Sequence, residues 1–151
     1  MSRDMDGTAW NHAYAQVNGI RIHHVRHGSG TALVLLEGWP ELWYACRKNV
    51  PILAERFDVI APDLRGFGDT EKPGLTDPFS GFLDVLVEDL RGLAKSLGIE
   101  GFGLVGQDVG SFVAQAFARK YPERLLGPSF FHCVYPGIGK RWLDPGSVKE
   151  I

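Results

Sequence analysis

Cysteine is scarce in this sequence. Cys46 and Cys133 stand alone, far apart and without Cys-x-x-Cys spacing, which excludes a disulfide framework and a zinc site built on paired thiolates. Both read as small buried apolar residues. Charge of one sign is also lacking: 16 Lys and Arg face 18 Asp and Glu, a net charge of −2 with no basic run. Nothing here draws in a polyanion over a distance, so no nucleic acid is expected as a partner. Long apolar runs are missing too. The longest near the polar N-terminus is Ala32 to Leu36, too short for a signal segment or a membrane span, and the expectation is a cytoplasmic protein with no membrane partner. Internal repeats, low-complexity tracts and Ser/Gly linkers are absent, which leaves a single unit to assemble. What is present, 151 residues of which 44% are apolar, suffices for the core of one domain.

The order of local patterns is informative. Tyr14 to Val17 and Ile20 to Arg26 flank Asn18-Gly19, a dipeptide suited to the positive φ angles of a tight turn, so the fold opens on an antiparallel hairpin. His23, His24 and His27 belong to that hairpin and read as surface residues. Thr31 to Leu36, Phe57 to Ala61 and Phe102 to Val105 are short apolar runs without alternation, as expected of parallel strands covered on both faces. Between them lie helical patterns: Glu41 to Arg56 with Pro51 as a kink or break, and Gly81 to Leu97 with Leu83, Leu86, Val87, Leu90, Leu93, Ala94 and Leu97 on one stripe before Gly98 at the C-cap. A third, Val109 to Tyr121, presents Val109, Phe112, Val113, Ala116 and Phe117 at spacings of three and four and ends at Pro122, and Leu125 to Tyr135 reads as a further strand. The fold class is α/β: a mostly parallel sheet with an opening antiparallel hairpin and helices on both faces. Such sheets place their chemistry at the carboxyl ends of the strands.

Gly106-Gln107-Asp108-Val109-Gly110 joins a strand to an amphipathic helix, with a small residue two before and two after the Asp. That is the pattern of a nucleophile elbow, where strand and helix approach so closely that only small side chains fit and the central residue is held at a helix N-terminus. With Asp in the centre, the nucleophile is a carboxylate that needs no activating base and forms an ester. Hydrolysing that ester requires water activated by a His, and an oxyanion hole for which the Val109 N–H is a donor. The plain alternative is a helix N-cap, which Asp often provides, but an N-cap alone does not need Gly106 and Gly110.

Two further segments, Leu35-Leu36-Glu37-Gly38-Trp39-Pro40 and Val59-Ile60-Ala61-Pro62-Asp63-Leu64-Arg65-Gly66-Phe67-Gly68, make the pattern specific. Together with the elbow they resemble the soluble epoxide hydrolase branch of the α/β-hydrolase family, from about Gln16 to the end of the chain. The resemblance implies that Asp108 is the nucleophile and that the backbone N–H groups of Val109 and Trp39 form the oxyanion hole. It also implies that Pro40 follows a cis peptide bond, and that Trp39, Pro40, Gln107 and Glu37 border the substrate. The substrate it implies is a small apolar epoxide or a related small molecule, with no cofactor and no metal. Asp63, Arg65, Gly66 and Gly68 are read as structural residues of the loop after the fourth strand.

The sequence departs from that family at Glu37 and Gln107, where His is usual. A carboxylate near Asp108 would raise the pKa of one or both groups unless Glu37 meets a cation, stays protonated or points into solvent. The family's base His, its orienting acid and the Tyr residues of its cap have no counterpart here. The chain therefore reads as residues 1–135 of an α/β-hydrolase core domain followed by the start of a cap domain over 136–151, truncated before the cap and the last strands and inactive alone. His132 reads as a core or edge residue, not a base. An uncovered sheet edge would invite self-association or a complementing chain. Two alternatives stand beside the epoxide reading: a dehalogenase with the same Asp nucleophile, which Val109 disfavours because those enzymes place a halide-holding Trp there, and a non-catalytic truncated paralogue serving as an interaction module.

Overall fold

The computed structural model describes residues 9–73 and 81–133. The expected cap entry at 136–151 and the end of the last strand at Tyr135 lie outside them. Strands β1 (His12–Val17) and β2 (Ile20–Gly28) form the opening hairpin, turned by Asn18 and Gly19 at φ of 48° and 78°. Strands β3 (Thr31–Leu36), β4 (Phe57–Pro62), β5 (Phe102–Gln107) and β6 (Leu125–Phe131) complete one sheet of order β1-β2-β4-β3-β5-β6. β3 runs parallel to both β4 and β5, β5 runs parallel to β6, and β2 joins β4 antiparallel.

Helix α1 (Asn49–Leu53), preceded by a 3₁₀ turn over Trp43–Cys46, covers one face of the sheet; α2 (Phe82–Ser96) and α3 (Val109–Lys120) cover the other. The alternation of β3 sorts its side chains between the two. Val34 and Leu36 join Leu90, Phe102, Leu104 and Phe117 beneath α2 and α3, while Leu35 joins Trp10, Trp43, Val50 and Val59 beneath α1. Burying one such side chain is worth about 1.5–3 kcal/mol, so the two cores supply the main attraction between the layers.

Several expectations need correction. The helical run expected over Glu41 to Arg56 is broken between Cys46 and Asn49, not at Pro51. Pro51 sits in the first turn of α1, where a helix N–H has no intrahelical acceptor and its absence costs little. His23 and His24 are buried, and only His27 faces solvent. β2 is an inner strand paired with β1 and β4 along its edges, and its two faces are covered by Trp10, Trp43 and Val50 on the α1 side and by Leu93 of α2 on the other. β5 is not covered on both faces. Phe102, Leu104 and Gly106 are buried against the helices, whereas Gly103, Val105 and Gln107 on the other face are half-buried.

On α3, Phe112 is exposed, and the buried face runs through Gly110, Val113, Ala114 and Phe117. β6 is the outer strand among the described residues, with Leu126 67% and Phe131 47% exposed. No helix among the described residues is long and apolar enough to cross a membrane.

Candidate active site

The connection after β3 leads to β4 on one side, and the connection after β5 leads to β6 on the other. The crevice between the carboxyl ends of β3 and β5 is therefore the point where the chain's windings diverge, the usual place for a ligand in an open α/β sheet. Gly38 follows β3 there, and Asp108 follows β5.

Asp108 has φ 48° and ψ −114°, a conformation that non-glycine residues adopt only where the surroundings over-determine it. The surroundings do. A Cβ on Gly106 would fall 2.4 Å from the Gly110 carbonyl oxygen, and one on Gly110 would fall 2.4 Å from the Leu36 carbonyl oxygen. Both positions exclude any larger residue, which is why the small residues flank the Asp. Ser111 Oγ lies 2.6 Å from the Gly106 carbonyl oxygen and 2.8 Å from that of Phe131. The Asp108 N–H donates to the same Phe131 carbonyl at 3.3 Å, so the end of β6 braces the turn. Ser111 was not singled out from the sequence, although it directly follows the glycine of the motif.

Asp108 occupies the N-cap position of α3, yet its side chain makes no capping hydrogen bond. Instead Oδ2 accepts the backbone N–H of Trp39 at 2.8 Å. Gly38 lies directly against the carboxylate, since a Cβ there would stand 2.5 Å from both Cβ and Oδ2 of Asp108. Val109 is the first residue of α3 and its N–H has no intrahelical acceptor. The peptide bond Trp39-Pro40 is cis. The structure thus brings together Asp108, Trp39 and Val109.

Beside the carboxylate opens a cleft of about 500 Å³ lined mainly by Trp39, Phe67, Pro73, Phe82 and Val109. Trp39 is 75% exposed, and its ring meets that of Phe67 edge-on at 6.3 Å. The cations at its rim are already engaged. Arg65 holds Asp89 of α2 by two hydrogen bonds, at 2.7 and 2.8 Å, and Lys72 donates to the Gly68 and Thr70 carbonyls. What remains is an apolar, aromatic surface that reaches Asp108 through Trp39, whose N–H Asp108 accepts, and through Val109, the next residue in the chain. Phe82 was not foreseen as part of it, because it belongs to a helix that begins 26 residues before Asp108 in the sequence.

Glu37 and Gln107 are not in that cleft. They border a second hollow of about 470 Å³ on the α1 side, with Leu35, Cys46, Val105 and Phe131. Glu37 is half-buried with its Oε2 shielded from solvent, and no cation among the described residues lines its hollow. Burial first, and then the charge of Glu41, hold its carboxyl above the ordinary Glu value. Burial and Glu37 together push the Cys46 thiol up to about 12. Cys46 is buried as expected, while Cys133 is only half-buried and accepts a hydrogen bond from Gln115.

Asp63 is the hub behind the site. It accepts His23 Nδ1 at 2.8 Å and the N–H groups of Trp43 and Asp69 at 2.9 Å, tying together β2, the loop after β3 and the loop after β4. Burial opposes its charge, but these donors outweigh that cost and hold its carboxyl below the ordinary Asp value. His23, Asp63 and Asp69 are the one group of described residues whose metal-type donor atoms lie within 4.8 Å of one another, and the hydrogen bonds of Asp63 already occupy both its oxygens. His12 and His23 are in ring contact in the hairpin. His132 is exposed just past β6, its ring against Phe131, and so is not a core residue.

Comparison with known proteins places these observations. The family described as alpha/beta hydrolase fold matches residues 31–127. A soluble epoxide hydrolase of Corynebacterium sp. (strain C12) is 45% identical over 137 residues, covering 88% of this chain and 45% of that protein. Epoxide hydrolase 1 of Siraitia grosvenorii is 42% identical, covering 91% of this chain and 51% of its own length. Among solved structures, the ligand-free epoxide hydrolase CorEH superposes with a TM-score of 0.75 at 39% identity, over 87% of this chain and 46% of that one. The chain thus spans about half the length of the relatives it matches.

Proposed function

Because the chain belongs to the α/β-hydrolase fold family, we propose that it carries the ester-forming half of an epoxide hydrolase site, with Asp108 as nucleophile. The supporting observation is the 2.8 Å hydrogen bond from the Trp39 N–H to Asp108 Oδ2. It holds one carboxylate oxygen in a backbone donor site and leaves the other to react. The second support is that relatives 45% and 42% identical are named epoxide hydrolases.

The free oxygen of Asp108 attacks an oxirane carbon, the strained C–O bond breaks, and the departing alkoxide takes a proton from solvent water, releasing hydroxide and leaving a hydroxyalkyl ester. No metal or organic cofactor enters these steps. The cleft of Trp39, Phe67, Phe82 and Val109 suits a small apolar epoxide. In a hydrolytic second half, water attacks the ester carbonyl and the oxyanion develops on the oxygen already facing the Trp39 N–H, with the Val109 N–H as second donor. That step needs a base. Among the described residues, His12, His23, His24 and His27 belong to the opening hairpin and His132 makes no ion pair with an acid, so these residues are assigned the first half alone.

The test is intact-mass analysis after incubation with styrene oxide. The expected result is one stable adduct, mapped to Asp108 and missing in Asp108→Asn. An adduct that survives that substitution, or none under conditions where the folded protein persists, refutes the nucleophile. A dehalogenase would instead release halide from a bromoalkane, and none is expected.

A further inference from the structure

Asp63 decides which ring nitrogens of the buried hairpin histidines carry protons. Its carboxylate accepts, so His23 Nδ1, 2.8 Å from Oδ2, donates. A neutral His23 then has a bare Nε2. That nitrogen lies 2.9 Å from His12 Nδ1, which must carry the one proton between them, and the two rings stack with their centroids 5.1 Å apart. His12 Nε2 is left bare, buried and without a partner among the described residues.

This arrangement counts protons. One added proton settles on His12 Nε2 and leaves the shared contact intact, with the Asp63 carboxylate to balance the charge. A second has only the shared contact to enter. Two N–H groups would then face each other at the 2.9 Å separation, on two rings of like charge. The titratable and charged groups around the pair are Asp63 and Asp69 of the loop after β4, His24 beside it on β2, and Tyr14 of β1 with Arg21 over its ring; Cys46 and His27 lie past Trp43 and Trp10. Of these only Asp63 balances the charge by direct contact, and its oxygens also serve the N–H groups of Trp43 and Asp69. His24 is held below the ordinary imidazole value, by burial first and then by His23, and stays neutral as the pair charges.

The two partners differ in freedom. His23 is fully buried on an inner strand, with Thr70 Oγ1 accepting its backbone N–H. His12 is half-buried and begins the edge strand β1. Its ring meets Trp43 edge-on at 5.4 Å, and Trp10 meets the same Trp43 at 5.3 Å. We propose that the His12–His23 contact is an acid-opened clasp: it stays closed while the pair carries at most one added proton, and when both rings are charged His12 and the start of β1 swing off Trp43 while His23 stays on Asp63. The clasp is a property of the hairpin and does not depend on the role of Asp108.

The test is ring-nitrogen NMR of the histidines from mildly alkaline to mildly acidic pH, with amide-exchange protection over residues 10–14, corrected for intrinsic exchange, followed in the same samples. At mildly alkaline pH both His12 and His23 are expected to carry the proton on Nδ1. On acidification the pair should charge in two separate steps, and protection should fall several-fold at the second. His12→Asn removes the titrating ring but places an amide near Nδ1, whose N–H donates to neutral His23 and whose oxygen accepts from charged His23, so protection should persist into acid. His12→Phe keeps the stacked ring without the hydrogen bond and should be weakly protected at every pH. A proton on Nε2 of His23 in mild alkali, a second step that leaves protection unchanged, or a His12→Asn chain that opens at the same pH as the unmodified one overturns the proposal. The first two readings come from the unmodified chain and stand even where a variant fails to fold.

Discussion

One methyl group at Gly38 should uncouple the nucleophile from its donor while leaving the fold standing. The added Cβ of Gly38→Ala would sit 2.5 Å from both Cβ and Oδ2 of Asp108, where non-bonded carbon contacts prefer about 3.5–4.0 Å. The Asp108 side chain or the Trp39 loop must therefore retreat by about 1 Å, and the 2.8 Å hydrogen bond from Trp39 to Oδ2 is the contact that yields. A misplacement of this size costs about 10²-fold in rate, and loss of one oxyanion donor costs about 10²–10³-fold. Overpacking of this kind destabilises by about 1–3 kcal/mol, a loss the two cores can absorb. Gly110→Ala is the control, because its new Cβ meets the backbone carbonyl of Leu36 at 2.4 Å, and backbone gives way less readily than a side chain. The assay pairs the rate of styrene oxide attachment with a urea melt for each variant. Gly38→Ala should attach the probe about a hundredfold more slowly while losing less stability than Gly110→Ala. If Gly38→Ala attaches it at the unmodified rate, the Trp39–Asp108 contact does not prepare the nucleophile.

Further outcomes follow from the charged groups. Asp63→Ala removes the partner of a fully buried His23 and three hydrogen bonds at once, and a urea melt should show a loss of about 3–5 kcal/mol. Because the folded protein holds the Asp63 carboxyl below its ordinary value, the stability it contributes is present above that ordinary value and fades as pH falls through the lowered one; an acid titration of the unmodified chain should show this slope, and Asp63→Ala should flatten it. Glu37 runs the other way: its raised value means stability present in acid and lost as pH rises, so Glu37→Gln should match the unmodified chain in acid and melt at a higher temperature in mild alkali. Arg65→Met removes the cation from the nearly buried Asp89 and leaves it only the Asn18 amide as a donor, which should cost about 3 kcal/mol in the same urea assay. Glu88, held down to about 2 first by Lys120 and then by Tyr121 and Arg91, lies at the surface, so Glu88→Gln should change stability by less than about 1 kcal/mol, shrinking with added salt.

What could be read from the residues alone depended on whether the determining forces were local. The Asn18-Gly19 turn, the Gly66 and Gly68 bends and the elbow glycines are set by backbone sterics within a few residues, and each stands where its pattern placed it. The burial of His23 and His24 depends on β4 crossing to pair with β2, a contact between segments about 35 residues apart that no local pattern reports. The environment of Glu37 likewise depends on Cys46 and Glu41 folding back over the end of β3, and on Gln107 arriving from β5. Proximity to Asp108 in the motif suggested a conflict of charges. The strand's alternation instead turns Glu37 to the α1 side, where it shares its hollow with Gln107 and not with the cleft of Trp39 and Val109. Phe112 shows the limit of helical periodicity: α3 packs against the sheet and α2 together, so its buried face differs from the stripe drawn on one helix.

The strand order explains why the ester-forming groups can be assembled by these elements. β3 lies between β4 and β5, parallel to both, so the loops that follow the three strands leave from the same end of the sheet at spacings of about 5 Å. The loop after β3 delivers Gly38 and Trp39, the loop after β4 delivers Phe67 to the cleft and Asp63 to brace Trp43, and the turn after β5 delivers Asp108. Each loop is fixed by a neighbour: the first by Asp63 and Asp108, the second by His23 and Thr70, the third by Ser111 and the Phe131 carbonyl. A nucleophile held in left-handed backbone geometry stays strained only while such contacts over-determine it. The contacts that do so at Asp108 come from β3, α3 and β6, elements that all lie within the described residues. It follows that β6 serves the site as well as the sheet edge. A change that frees Phe131 from Ser111 should relax Asp108 before it disturbs either core, and Ser111→Ala should slow attachment of the epoxide with little effect on the melt.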